Sequence, residues 1–168
     1  MVPVFLLVLY SGMANSSYIA AIVFIIASLT DTLDGHIARS RNMITDFGKF
    51  MDPLADKILT SAAYISLVEI GKVPAWIVVI IIAREFAITG LRTLAASVGI
   101  TIAASPLGKI KTISQLLAII FLLLNNFPFN ALNIPVDRIL LYASLFFTVL
   151  SGIDYIYKNR KVLTTNMD

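Results

Sequence analysis

Asp31 and Asp34 stand three residues apart, and Asp52 and Asp56 four apart, in a chain of 168 residues with only ten acidic side chains. Either spacing puts a pair on one face of a helix. Both pairs sit at the ends of strongly apolar stretches, where a carboxylate is costly unless it faces a polar cavity, so they are functional candidates by default. A short basic loop joins the two stretches. If both are helices, they run antiparallel and carry their aspartates at the same depth. Four carboxylates held that close repel one another unless cations intervene. Oxygen-only donors suit Mg²⁺ or Mn²⁺, and a cluster of this size has the capacity to hold two such ions and clamp a diphosphate. The competing reading is that these are interfacial carboxylates paired with Arg39, Arg41, Lys49 and Lys57. Glycine favours the site: Gly35 and Gly48 flank the two pairs, where a missing side chain admits a ligand or a neighbouring helix. Ala38 continues the small face of Asp31, Asp34 and Gly35 by one turn.

The elements that must position these residues follow from composition. At 58% hydrophobic and 14% charged, the chain lies outside the soluble range and belongs in a bilayer. A hydrocarbon core of about 30 Å needs roughly 20 apolar residues per helix. Five stretches qualify, near Tyr18–Ala38, Phe50–Ile70, Pro74–Val98, Leu107–Asn125 and Arg138–Lys158. A sixth, Met1–Tyr10, is too short to cross and is expected to be a truncated first helix. Gly, Pro and Asn punctuate the intervals Ser11–Ser17, Gly71–Pro74, Gly99–Pro106 and Asn125–Pro135.

Basic residues favour alternate loops. Arg39, Arg41 and Lys49 lie in one, Lys109 and Lys111 follow another, and Lys158, Arg160 and Lys161 close the chain. The opposite loops carry no charge, apart from Lys72. The positive-inside rule then gives an all-α, polytopic six-transmembrane-helix bundle with both termini cytoplasmic. Residues 1–161 form its membrane domain and residues 162–168 a frayed C-terminal tail. The stretch Val2–Ser17 does not resemble a cleavable signal, and insertion is expected to rest on the hydrophobic helices themselves. The absence of cysteine excludes disulfides and thiolate chemistry. With a net charge of +3, the expected partners are anionic lipids and phosphates rather than nucleic acid.

The run Asp31-Thr-Leu-Asp34-Gly35-His-Ile-Ala38-Arg39, a spacer of eight residues, and Gly48-Lys-Phe-Met-Asp52-Pro-Leu-Ala-Asp56 resembles the full signature of the CDP-alcohol phosphotransferases. That signature reads D-x-x-D-G-x-x-A-R, spacer, G-x-x-x-D-x-x-x-D. The resemblance implies that Asp31, Asp34, Asp52 and Asp56 bind two divalent cations, Mg²⁺ or Mn²⁺, and that Asp56 is also the general base. It implies that Gly35, Ala38 and Arg39 hold the CDP moiety, with Thr45 as a further contact. The planar guanidinium of Arg39 suits a phosphate. His36 occupies a variable position and reads as a surface residue. Lys49 and Lys57 read as neighbours of lipid headgroups or loop carboxylates.

In the second half, Arg84-Glu85-Phe-Ala-Ile-Thr89-Gly90-Leu-Arg92, then Gly108-Lys109-Ile-Lys111-Thr112 and Gln115, are similar to one branch of that family. This branch takes CDP-diacylglycerol as donor and sn-glycerol 3-phosphate as acceptor. Glu85 and Arg92, seven residues apart, share a helix face, and a structural ion pair between them is the simpler reading of both. Arg84, Arg92, Lys109 and Lys111 still outnumber Glu85, and the surplus suits the phosphate of the acceptor.

The resemblance extends from Ile22 to Lys158. It also implies a homodimer in the cell membrane, with its active site at the cytoplasmic face. Relatives usually carry an amphipathic segment with an Asn-x-x-Thr-x-x-Arg-like stretch before the first helix, and a shortened start is the expectation here. Two other functions compete: the same transfer to an inositol phosphate, serine or lipid acceptor, and a divalent-cation channel or transporter. Transport calls for polar groups distributed along a path, whereas these carboxylates bunch at one end of two helices.

Overall fold

The structure is a computed structural model. It describes the backbone of residues 1–40, 46–97, 99–100, 102 and 105–159, and the side chains of those residues outside 31–56 and 97. Six α-helices appear in order: α1 (Val2–Leu9), α2 (Ser16–Ser40), α3 (Asp46–Glu69), α4 (Ala75–Ser97), α5 (Pro106–Leu123) and α6 (Val136–Lys158), with a 3₁₀ turn at Phe129–Leu132. There is no strand among the described residues. All five long helices expected from hydropathy are present, their ends within a few residues of expectation. Eight residues make α1 about 12 Å long, well short of a hydrocarbon core.

Among the described residues, Pro106–Leu123 and Val136–Lys158 are long and apolar enough to cross a membrane, and Ser16–Thr30 is a shorter apolar helix. α4 has the length, 23 residues, but carries Arg84, Glu85 and Arg92 in its sequence. α6 is polarised in the sense a bilayer demands. Its buried stripe is Leu141, Ser144, Thr148, Ser151, Gly152 and Tyr155. Its exposed positions include Ile139, Phe146, Val149, Ile153 and Ile156. Small and polar residues inside, with large apolar residues outside, is the pattern expected where lipid is the solvent. Its serine and threonine hydroxyls are satisfied on their own helix: Thr148 donates to the Ser144 carbonyl at 2.6 Å and Ser151 to the Thr148 carbonyl at 3.1 Å.

The chain forms two compact units, Met1–Val73 with Ile119–Asp137, and Pro74–Ala118 with Arg138–Asp168. In the first, α1 packs on α2 and α3, and α2 on α3. Phe5 is fully buried, and its ring lies 6.1 Å from that of Phe24. The Tyr10 hydroxyl donates to the Glu69 carboxylate and ties the end of α1 to the end of α3. α3 stops at Gly71, whose φ of +74° closes a Schellman turn. Lys72 N–H reaches the Leu67 carbonyl at 2.9 Å and Gly71 N–H the Val68 carbonyl at 2.9 Å.

Lys72 departs from the charge-free side of the alternation for a structural reason. Its ammonium donates to the Leu122 carbonyl at 2.8 Å and to Asn125 Oδ1 at 2.7 Å, where the last turn of α5 leaves carbonyls without helical partners. Burial lowers its pKa below the usual lysine value, and Asp137 partly offsets that. The asparagine-rich loop that follows is built on left-handed backbone at Asn125, Asn126 and Asn133, with φ of 53°, 61° and 55°. Asn126 then fastens it: Nδ2 donates to the Ile134 carbonyl at 2.7 Å, and Oδ1 accepts from the Asp137 N–H at 3.2 Å in the first turn of α6.

Candidate active site

The acidic motif occupies the C-terminal part of α2 and the N-terminal part of α3. Asp31, Asp34, Gly35, Ala38 and Arg39 all fall within Ser16–Ser40, and Gly48, Asp52 and Asp56 within Asp46–Glu69. The backbone is helical at every one of these positions, so the steps of three and four do correspond to helical stripes: 31, 34 and 38 on α2, and 48, 52 and 56 on α3. Their side chains, and Thr45 altogether, lie outside the described residues. Among the described residues, no three His, Asp or Glu groups come together as a metal site. Aspartate supplies only oxygen donors, the chemistry that suits a hard divalent cation.

The second constellation lies in the Pro74–Ala118 and Arg138–Asp168 unit. Ser105 caps the start of α5: its Oγ accepts the Gly108 N–H at 3.1 Å, and its carbonyl accepts the Lys109 N–H at 3.2 Å, with Pro106 opening the helix. That cap sets the register of Lys109 and Lys111. Lys111 is 4% exposed, and its ammonium pairs with the Glu85 carboxylate of α4. Glu85 also meets Arg84 Nη1 at 3.3 Å. Arg84 Nη2 donates to the Ser151 hydroxyl of α6 at 3.0 Å. Gln115 and Thr148 bridge α5 and α6 at 3.1 Å. Three helices are thus laced by one polar network.

This arrangement corrects the ion pair expected of Glu85. The side chains that meet it are Arg84 and Lys111, not Arg92. A contact across to α5 holds a lysine that has little water around it, which seven-residue spacing along α4 does not reveal. Arg84 and Lys111 are brought together by Glu85, while Arg92 and Lys109 are exposed. α4 and α5 together carry four cations, Arg84, Arg92, Lys109 and Lys111, against one carboxylate, Glu85.

Sequence reasoning missed Ser151, Gly152 and Tyr155. Gly152 makes room for Arg84: a Cβ there would lie 3.2 Å from Arg84 Cγ. The available signal was the helical repeat of Ser144, Thr148, Ser151, Gly152 and Tyr155 through a stretch of large apolar residues.

An all-helical fold among the described residues, two helices long and apolar enough to cross a membrane, an acidic motif on two consecutive helices and a cation-rich polar network fit a membrane-associated enzyme acting on phosphate groups. The chain belongs to the CDP-alcohol phosphatidyltransferase family, which matches residues 1–150. Members of this family generally depend on divalent cations.

The chain is similar to the CDP-diacylglycerol–glycerol-3-phosphate 3-phosphatidyltransferase of Bacillus subtilis (strain 168), with 53% identity over 146 residues, covering 87% of this chain and 76% of that protein. Rickettsia bellii (strain RML369-C) has a protein of the same name, 36% identical over 155 residues, covering 92% of this chain and 86% of its own. A probable phosphatidylglycerophosphate synthase of Mycobacterium tuberculosis (strain CDC 1551 / Oshkosh) is 40% identical over 160 residues, covering 93% of this chain and 74% of its own.

Proposed function

We propose that this protein transfers the phosphatidyl group of CDP-diacylglycerol to sn-glycerol 3-phosphate, giving phosphatidylglycerol phosphate and CMP. The observation that carries this reading is the 53% identity with the Bacillus subtilis 3-phosphatidyltransferase, which extends over the acidic motif and most of the second half. The cation surplus around Glu85 supports the choice of acceptor, because a phosphomonoester brings the charge that the surplus requires. Neither the other acceptors nor cation transport draws comparable support.

Asp31, Asp34, Asp52 and Asp56 would hold two divalent cations, Mg²⁺ or Mn²⁺. When bound, these ions supply charge neutralisation for the diphosphate and for the departing CMP. Gly35, Ala38, Arg39 and Thr45 hold the CDP moiety. Asp56 accepts the proton of the acceptor hydroxyl as its oxygen attacks the lipid-bearing phosphorus. The bond from that phosphorus to the CMP oxygen breaks, and CMP leaves with the electron pair. Arg84, Arg92, Lys109 and Lys111 hold the acceptor phosphate. The working protein is a six-span homodimer in the cell membrane, with this chemistry at the cytoplasmic face.

The test is CMP release from CDP-diacylglycerol by purified protein supplied with Mg²⁺ or Mn²⁺. Release is expected only when glycerol 3-phosphate is present, and Asp56→Asn is expected to stop it. Release without that acceptor, or full activity in the variant, rules the reading out.

A further inference from the structure

Residues 124–135 join α5 to α6, the two described helices that are long and apolar enough to cross a membrane, so the loop marks the surface where both end. Its polarity is the reverse of that of a loop in water. Asn126 is buried, 8% exposed, with its amide engaged at both ends by Ile134 and Asp137. Phe127 and Leu132 are 61% and 66% exposed, and Ile134 is exposed as well. Phe129 turns the other way, half-buried, with its ring 5.7 Å from that of Phe121. No charged side chain occurs between Lys111 and Asp137. A clustered set of large apolar side chains on an uncharged surface marks an interaction site.

The backbone of the loop says what lies against it. The N–H groups of Phe127, Asn130, Asn133, Ile134 and Val136 donate to the carbonyls of Leu124, Asn126, Asn130, Phe129 and Ile134, at 2.9–3.4 Å. Pro128 and Pro135 have no N–H to satisfy. Lys72 answers the Leu122 carbonyl and the side chain of Asn125. A loop in water has no need of such closure, because water pairs with open backbone groups. Beside hydrocarbon, irregular backbone must find its partners within the protein.

We infer that residues 124–135 form an interfacial anchor, in which Phe127, Leu132 and Ile134 seat in the boundary between the headgroups and the acyl chains of the leaflet opposite the acidic motif. The side of the membrane follows from α3. Lys72, in the turn after α3, holds Asn125, while Gly48, Asp52 and Asp56 lie in the first half of that helix, which is 24 residues and about 36 Å long. Tyr10, tied to Glu69 at the same end of α3 and 46% exposed, adds the kind of aromatic group that settles at a membrane interface. The occupant is the apolar edge of the lipid, because the loop continues directly from two spans and carries no charge with which to hold a headgroup. The anchor is independent of the reaction proposed above.

The chain has one tryptophan, Trp76, at an exposed position, so a single fluorescent reporter can be moved into the loop. Trp76→Phe combined with Phe127→Trp gives one reporter, and Trp76→Phe combined with Leu132→Trp gives a second, so the result does not hang on one variant folding. Both are expected to keep the wild-type midpoint of thermal unfolding. In phosphatidylcholine vesicles, both reporters are expected to emit to the blue of tryptophan in water. Lipids brominated near the headgroup end of their acyl chains are expected to quench them strongly, and lipids brominated at the chain ends and aqueous acrylamide to quench them weakly, as for side chains about 5–10 Å into the interface. Adding phosphatidylserine is expected to leave this pattern unchanged. Strong quenching by acrylamide with none by brominated lipid puts the loop in water and overturns the anchor. Shielding from both quenchers puts these side chains against a second copy of the chain or another protein, and overturns it as well. Quenching that deepens with phosphatidylserine shows attraction to charged headgroups and overturns the apolar contact.

Discussion

The ammonium of Lys111 and the carboxylate of Glu85 form an ion pair between α5 and α4, and Lys111 is 4% exposed. In so little water, the pair is held by its geometry and by the second contact of Glu85 with Arg84. Substituting one partner of such a pair costs far more than the pair contributes, because the remaining charge stays buried. Glu85→Gln is expected to destabilise the protein by about 3 kcal/mol, read as a lower midpoint of thermal unfolding in detergent. The double variant Glu85→Gln, Lys111→Met is expected to recover a large part of that loss. Additive effects in the double variant would show that the two side chains act independently.

Gly152 sets the position of Arg84 by leaving space. A methyl group there would come within 3.2 Å of Arg84 Cγ, so the arginine must shift by a few tenths of an ångström. Gly152→Ala is expected to raise KM for glycerol 3-phosphate a few-fold, with the donor KM unchanged, because small misplacements of a binding group weaken positioning before they disturb the fold. Steady-state kinetics with each substrate varied in turn checks this.

Lys72 links pH to stability through unit Met1–Val73 with Ile119–Asp137. Its folded pKa is lowered by burial, with Asp137 opposing, so the unfolded chain binds more protons than the folded one between the folded value and the ordinary lysine value. Stability therefore rises with pH across that window. Wild type is expected to gain in unfolding midpoint relative to Lys72→Met as the pH is raised from neutral to about 10. A fall in the wild-type midpoint relative to that of Lys72→Met over that range contradicts the assignment.

Divalent-cation removal tests the acidic motif without relying on one substitution. Chelation is expected to abolish CMP release, and Mg²⁺ or Mn²⁺ to restore it. Asp31→Asn and Asp52→Asn are each expected to need at least about tenfold more metal for whatever activity remains, since second-row interactions alone already shift metal affinity by that much. An unchanged metal requirement in both variants removes these residues from the metal set.

The helices themselves were legible from hydropathy because α2 to α6 are apolar runs bounded by Gly, Pro and Asn. Gly71 and Gly99 mark ends with φ of +74° and +76°, and Ser105-Pro106 marks a beginning. The acidic motif was equally legible. Its spacing needs only a continuous helix to become a stripe, and α2 and α3 are helical at all eight of its fixed positions. Helical period is a local property, carried by neighbours three and four residues away.

What the sequence by itself determined, then, is the family, the placement of the helices and the helical phasing of the acidic motif. The tertiary structure alone decided the partners of Lys72 and of the charges in α4 and α5. Glu85 meets Lys111 across 26 residues, Arg84 meets Ser151 across 67, and Lys72 meets Leu122 across 50. The reason is physical. Away from water, a charge goes to whichever group packing brings within reach, and that group lies on another helix at a distance in sequence that no periodicity encodes.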